Sequence, residues 1–275
     1  MALRVNQNPM STVAQYNLKN NDDALTKSIN RLSSGLRINR AGDDIAGLNM
    51  SERMRNQVRG LDQAVSNVQD ASNMLGTAEG ALNETHAILS RMRELAVQGA
   101  SDTLTASDRT SIKQELDNLT VEVDRIANKT EWNSHKLLDG SQAGANGFTI
   151  QVGANCGDFG TIGISDMRSA ALAVDNLAVD TAANASMSIS SIDKGIEAVS
   201  RERNYLGAKM NQYAQNIATL SVQSQNQAAS ENKIRDVDFA KEASNLTKKQ
   251  LLQQSSTAIL AQANSQPQAV LGLRR

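Results

Sequence analysis

Proline is almost missing from this chain. Pro9 and Pro267 are the only two, and nothing between them is forced to break a helix. Aromatic residues make up only 3% of 275 residues. That is little for a compact globular core, where Phe, Tyr and Trp supply much of the buried area. Ala, Leu, Ile, Val and Met must do that work, and they suit thin helical bundles. Cys156 is the sole cysteine, so an intrachain disulfide is impossible and a small buried or half-buried thiol is expected. His86 and His135 are the only histidines. Metal sites need several converging ligands, so His86 is expected as a helix-packing residue. No HExxH, no Walker loop and no paired CxxC occurs, and catalysis or a bound cofactor is not expected. No stretch approaches the ~20 apolar residues that span a membrane. Met1 to Pro9 lacks an apolar core, so a cleaved secretory signal is not expected. Lysine and arginine (28) nearly balance aspartate and glutamate (29), and they are dispersed. This gives no pull toward nucleic acid or membrane, and it permits self-association.

Two long heptad runs stand out against these absences. The first is Met54, Val58, Leu61, Val65, Val68, Ser72, Leu75, Glu79, Leu82, His86, Leu89. The second is Ala185, Ile189, Ile192, Ile196, Val199, Arg203, Leu206, Met210, Tyr213, Ile217, Leu220. Steps alternating between three and four residues mark helices that pack against partners. A second stripe (Ala71, Met74, Ala78, Ala81, Ile88, Met92, Leu95) lies beside the first, making a face broad enough for two neighbours.

Along the chain, residues 1–10 read as an extended lead and 11–38 as a weaker heptad helix through Leu18, Leu25, Ile29, Leu32 and Leu36. Residues 37–47 break it, with Asp43 or Asp44 as N-cap of the next helix. Long helices are expected over about 44–99, roughly 80 Å at 1.5 Å per residue, and about 170–232. A shorter helix over about 106–129 carries Ile112, Leu116, Leu119, Val123 and Ile126. Between them, a glycine-rich β-hairpin over about 147–165 alternates apolar and polar residues. A final helix over about 238–264 carries Leu246, Leu251, Leu252, Ile259 and Leu260. The reading is a mainly α chain: a long antiparallel helical bundle or coiled-coil rod with a small β-hairpin region, its N- and C-termini at the same end.

Several longer strings are more specific. Arg31-Leu-Ser-Ser-Gly-Leu-Arg-Ile-Asn-Arg-Ala-Gly-Asp-Asp-Ile-Ala-Gly-Leu48 and Ser90-Arg-Met-Arg-Glu-Leu-Ala-Val-Gln98 closely resemble the N-terminal signatures of bacterial flagellin. Glu131-Trp-Asn-Ser-His-Lys-Leu-Leu-Asp-Gly140 resembles that family's turn, and Phe148–Asn155 its hairpin. Ser230–Glu242 and Ala261–Leu271 resemble its C-terminal signature, although the ending Leu271-Gly-Leu-Arg-Arg departs from the usual one. The resemblance implies a minimal flagellin of core layers: residues 1–43 and 236–275 as inner-core helices, and 44–235 as the surrounding layer. It implies a structural subunit of the flagellar filament, exported without a cleaved signal through the type III route and extracellular. A hook–filament junction or other flagellin-like axial protein is the alternative. The expected polymerisation residues are Leu18, Leu25, Ile29, Leu32, Leu36, Leu251, Leu252, Ile259 and Leu260. Expected partners are further copies of the chain, an export chaperone on the C-terminal helix, and the filament cap and junction proteins. The resemblance also places Arg91, Leu95 and Glu115 where flagellins engage the flagellin-sensing Toll-like receptor.

Overall fold

This computed structural model describes residues 8–272, apart from the side chains of residues 145 and 266–272. Pro9 and Met10, within the extended lead expected over residues 1–10, already belong to a helix, whereas residues 1–7 of that lead and the final Leu-Arg-Arg lie outside the described residues. Among these, five helices and two strand pairs follow the order α1 (Pro9–Ser34), α2 (Ile45–Gly99), α3 (Ala106–Lys129), β1 (Glu131–Trp132), β2 (His135–Lys136), β3 (Phe148–Gln151), β4 (Phe159–Ile162), α4 (Ala182–Arg235) and α5 (Phe239–Gly272). The architecture is mainly α. Both strand pairs are antiparallel, β1 with β2 and β3 with β4. The chain forms two compact units: one spans Gln57–Gln225, and the other takes in the chain up to Asn56 and from Asn226 onward. The unit boundaries fall inside α2 and α4, whereas the sequence reading set divisions at 43/44 and 235/236.

In the unit spanning Gln57–Gln225, α2 and α4 run antiparallel, as three polar contacts show. Asp62 accepts from Ser224 at 2.7 Å, Glu79 pairs with Arg203 at 2.7 Å, and Arg93 pairs with Asp193 at 2.6 Å. The heptad pattern turns directly into burial. Val68, Leu75, Leu82 and Leu89 on α2 are fully buried, as are Ala185, Ile192, Val199 and Leu206 on α4. Each set repeats every seven residues, and the intervening members of each run are half-buried. A second line on α2 (Ala64, Ala71, Ala78, Thr85, Met92) is no more than 2% exposed. The helix therefore serves two neighbours. α3 fills part of that second face with Ile112, Leu116, Val123 and Ala127. It starts at a capping box in which Thr105 and Asp108 satisfy each other's backbone amides.

The return helix begins at Ala182, about twelve residues later than the start near 170 expected from the sequence and close to the first member of its heptad run, Ala185. Leu172, Val174, Leu177 and Val179 are all buried within an irregular segment. A small-or-polar line on α4 holds that segment down. Ser188 Oγ donates to Ala178 O and accepts from Ala178 N. At Gly195 a Cβ would come 3.4 Å from Leu172 O. Glu202 accepts from Ser165 N. Backbone groups of the segment are thus satisfied in part by α4 side chains and otherwise by local turns and Asp124 of α3, so no helix of its own is needed.

The turn read at Glu131–Gly140 opens with a two-residue hairpin whose corner residues Asn133 and Ser134 adopt φ of 47° and 65°. Cys156 corrects the expectation of a buried thiol: it is exposed. It sits between β3 and β4, at a tip that touches α2 through Ala154, where a Cβ on Gly60 would come within 2.9 Å.

Candidate polymerisation interface

Asn8 caps α1, accepting from Ser11 N, and Pro9 occupies the first turn, where its missing N–H costs nothing. Gly35 ends the helix at φ 72°, a left-handed cap that disfavours side chains. α5 starts where Asp238 accepts from Lys241 N. The two helices pack antiparallel. Asn8 Nδ2 donates to Ala263 O (2.7 Å), Asn21 to Ser256, Gln253 to Asp22, and Lys249 Nζ to both Ala24 O and Ser28 Oγ. Asn8 beside Ala263 sets the start of α1 against the C-terminal half of α5.

This seam is largely polar. Ser28 and Glu242 are buried in it, with Arg31 at 4.0 Å from the Glu242 carboxylate. Its buried apolar members are few and mostly small: Ala14, Leu25 and Ala263. Larger apolar side chains point away. Tyr16 is 66% exposed, Val13 59%, Leu251 61% and Ile259 55%, with Met10, Ile29 and Leu252 also exposed. Of the residues expected at the interface, Ile29, Leu251, Leu252 and Ile259 are therefore outward, and Leu18, Leu32, Leu36 and Leu260 are half-buried. Leu25 is taken up by the seam inside the chain. Met10, Val13 and Tyr16 are outward apolar side chains that the sequence reading did not name. Their i, i+3, i+6 spacing on one helix face is the signal that could have found them.

The linkers from α1 to α2 and from α4 to α5 are stitched together. Leu36 and Asp236 form an antiparallel bridge. Arg37 N donates to Arg235 O and Val237 N to Gly35 O. The Arg37 guanidinium also reaches Ile234 O at 2.6 Å. Asp43 accepts from the Asn39 and Arg40 amides and pairs with Lys27 at 2.5 Å. The Lys27 ammonium above all holds its carboxyl below the usual carboxylate range; desolvation opposes it, and the Arg40 and Asn39 amides add to the lowering. Asp44 accepts from Gly47 N as N-cap of α2. Ile38 is 2% exposed, and its Cδ1 would lie 2.9 Å from a Cβ on Gly47. Across α2 and α4, Glu52 pairs with Arg55 and Arg235, and Arg55 with Glu231.

In the unit spanning Gln57–Gln225, Arg91 is exposed and forks onto Glu115 of α3 at 3.0 Å and Glu94 at 3.1 Å. The structure brings Arg91 and Glu115 together at the surface and places Leu95 beneath it. That side chain is 2% exposed and lies in the core, because it continues the second buried stripe of α2. No group of metal-ligating side chains and no helix long and apolar enough to cross a membrane occurs among the described residues.

The comparisons agree with this architecture. The bacterial flagellin N-terminal helical region matches residues 5–143 and the bacterial flagellin C-terminal helical region matches residues 189–273. A flagellin of Halalkalibacterium halodurans is 45% identical over 98% of this chain and 99% of that protein. One of Bacillus subtilis is 43% identical over 99% of this chain and 100% of its own length. The crystal structure of Bacillus cereus flagellin superposes with a TM-score of 0.51 at 32% identity, covering 60% of this chain and 94% of that one. With both terminal regions matched and relatives aligned nearly end to end, this chain belongs to the bacterial flagellin family.

Proposed function

We propose that this protein is a non-enzymatic structural subunit that self-assembles into the extracellular helical filament of the bacterial flagellum, and that the outward apolar faces of α1 and α5 make the polymerisation contact. One observation carries the interface: a helix pair whose own seam is polar while Tyr16, Val13, Leu251 and Ile259 face outward. Apolar patches of this kind mark association surfaces. Each large side chain covered by a neighbouring copy contributes ~1.5–3 kcal/mol. A head-to-tail contact that does not close into a ring yields a filament. In this reading residues 1–43 and 236–275 are the share of the chain given to the inner layer of the filament, and 44–235 the share given to the layer around it. An export chaperone for the α5 face before assembly, type III export, and cap and junction proteins complete the expected partners. The exposed Arg91–Glu115 pair is proposed as the point of engagement for a flagellin-sensing Toll-like receptor.

Leu251→Asp tests the interface. The residue is exposed in the monomer, so the variant should fold with unchanged circular dichroism yet fail to elongate seeded filaments under negative-stain microscopy. Filaments of normal length from this variant would place the contact elsewhere.

A further inference from the structure

The chain has a single Asn–Gly step, Asn146–Gly147, and the fold presents it openly. Asn146 is exposed and closes a 3₁₀ turn (Gly144–Asn146) just before β3. Two backbone hydrogen bonds hold this turn, from Asn146 N to Ala143 O and from Gly147 N to Gly144 O. Both are 3.3 Å long, beyond the usual range for N–H···O. Gly144, at φ 61°, opens the turn in the left-handed region that glycine adopts without strain. Gly147 itself is fixed by packing. A Cβ there would lie 2.4 Å from Ile162 O and 3.0 Å from Gly163 N. The fold thus demands, next to an exposed asparagine, the one residue with no side chain to shield its amide nitrogen.

We propose that Asn146 is a site of spontaneous deamidation, with water as co-reactant. The Gly147 amide nitrogen, having lost its proton, attacks Asn146 Cγ. A C–N bond forms, the Cγ–Nδ2 bond breaks, and ammonia departs with the proton, leaving a five-membered succinimide. Water then adds to one of the two ring carbonyls. Cleavage of the new bond at Cγ gives aspartate; cleavage at the original backbone carbonyl gives isoaspartate. The net change is one water consumed and one ammonia released, with no oxidation. The chemically related Asp139–Gly140 step is protected. The Asp139 carboxylate accepts from Ser141 N at 3.0 Å. Bonding to Ser141 holds its carboxyl below the usual range, against desolvation, and an ionised carboxylate is a poor target for attack. The product at position 146 adds a negative charge. In its isoaspartyl form it also adds a methylene to the main chain two residues before Phe148, which pairs with Ile162. The start of the β3–β4 hairpin should then loosen.

Ageing of the purified full-length protein at mildly alkaline pH, followed by trypsin and mass-spectrometric sequencing of the fragments 130–136 and 137–168, tests this. Asn146 should convert to aspartate and isoaspartate several-fold faster than Asn133 and Asn155, which are also exposed. Asn146→Gln should abolish conversion at that position and lower ammonia release. Conversion of Asn146 no faster than Asn133 and Asn155 in the native protein would overturn the proposal. So would conversion seen only after unfolding, because the fold would then be protective.

Discussion

Asp43 shows how much one side chain can hold in place. It gathers the amides of Asn39 and Arg40 and the ammonium of Lys27, tying α1 to the linker that enters α2. Its carboxyl is held below the ordinary range, so the folded state prefers the charged form. The resulting stability is fully present above the unfolded aspartate value of about 3.9 and is lost as pH falls through the lower folded value. Thermal unfolding followed by circular dichroism should therefore show wild type more stable than Asp43→Asn at neutral pH. The gap should shrink below about pH 4; a gap independent of pH would mean that the charge is not what matters. At Arg91 the structure narrows the receptor proposal. With Leu95 in the core, the surface available is the Arg91–Glu115 pair. Soluble Arg91→Ala should activate a receptor reporter cell about tenfold less than wild type, as one contact of a hot spot would. Equal activation would remove Arg91 from the site.

At the scale of elements, the two heptad runs were legible because a helix repeats its burial every seven residues. The polar members of those runs carry further information. Glu79 and Arg203 both interrupt an apolar line, and they meet across α2 and α4 at 2.7 Å. A charged pair at such positions fixes register more than it adds stability. Both side chains remain about one-third exposed, so the coupling should be about 1 kcal/mol. Glu79→Arg should lower the urea midpoint, and adding Arg203→Glu should recover most of the loss in a double-mutant cycle. Purely additive effects would show that the pair does not couple. The start of α4 was not legible. Residues 170–181 are rich in Ala, Leu and Val and extend the helical composition upstream. Their burial against Ser188 and Gly195 depends on a side-chain line that has meaning only once the segment folds back.

For the whole molecule, the unit spanning Gln57–Gln225 has its own core, with α2, α3 and α4 burying apolar lines against one another. A fragment of residues 57–225 should fold as a strongly helical monomer and form no filaments. An unfolded circular dichroism spectrum, or filaments from that fragment, would contradict this division of labour between core and polymerisation helices. The sequence by itself determined the helices, their antiparallel packing and the family. Heptad spacing and the long strings around Arg31–Leu48 and Ser230–Glu242 are local patterns that survive without coordinates. Tertiary structure alone decided which apolar residues face out. Leu25 and Leu251 look alike in a heptad, yet one closes a seam and the other stays uncovered, because a polar ladder from Asn8 to Lys249 claims the inner faces of α1 and α5. It also decided that Cys156 lies at an exposed hairpin tip and Leu95 in the core. Burial depends on what packs against a residue, and no short stretch of sequence specifies that.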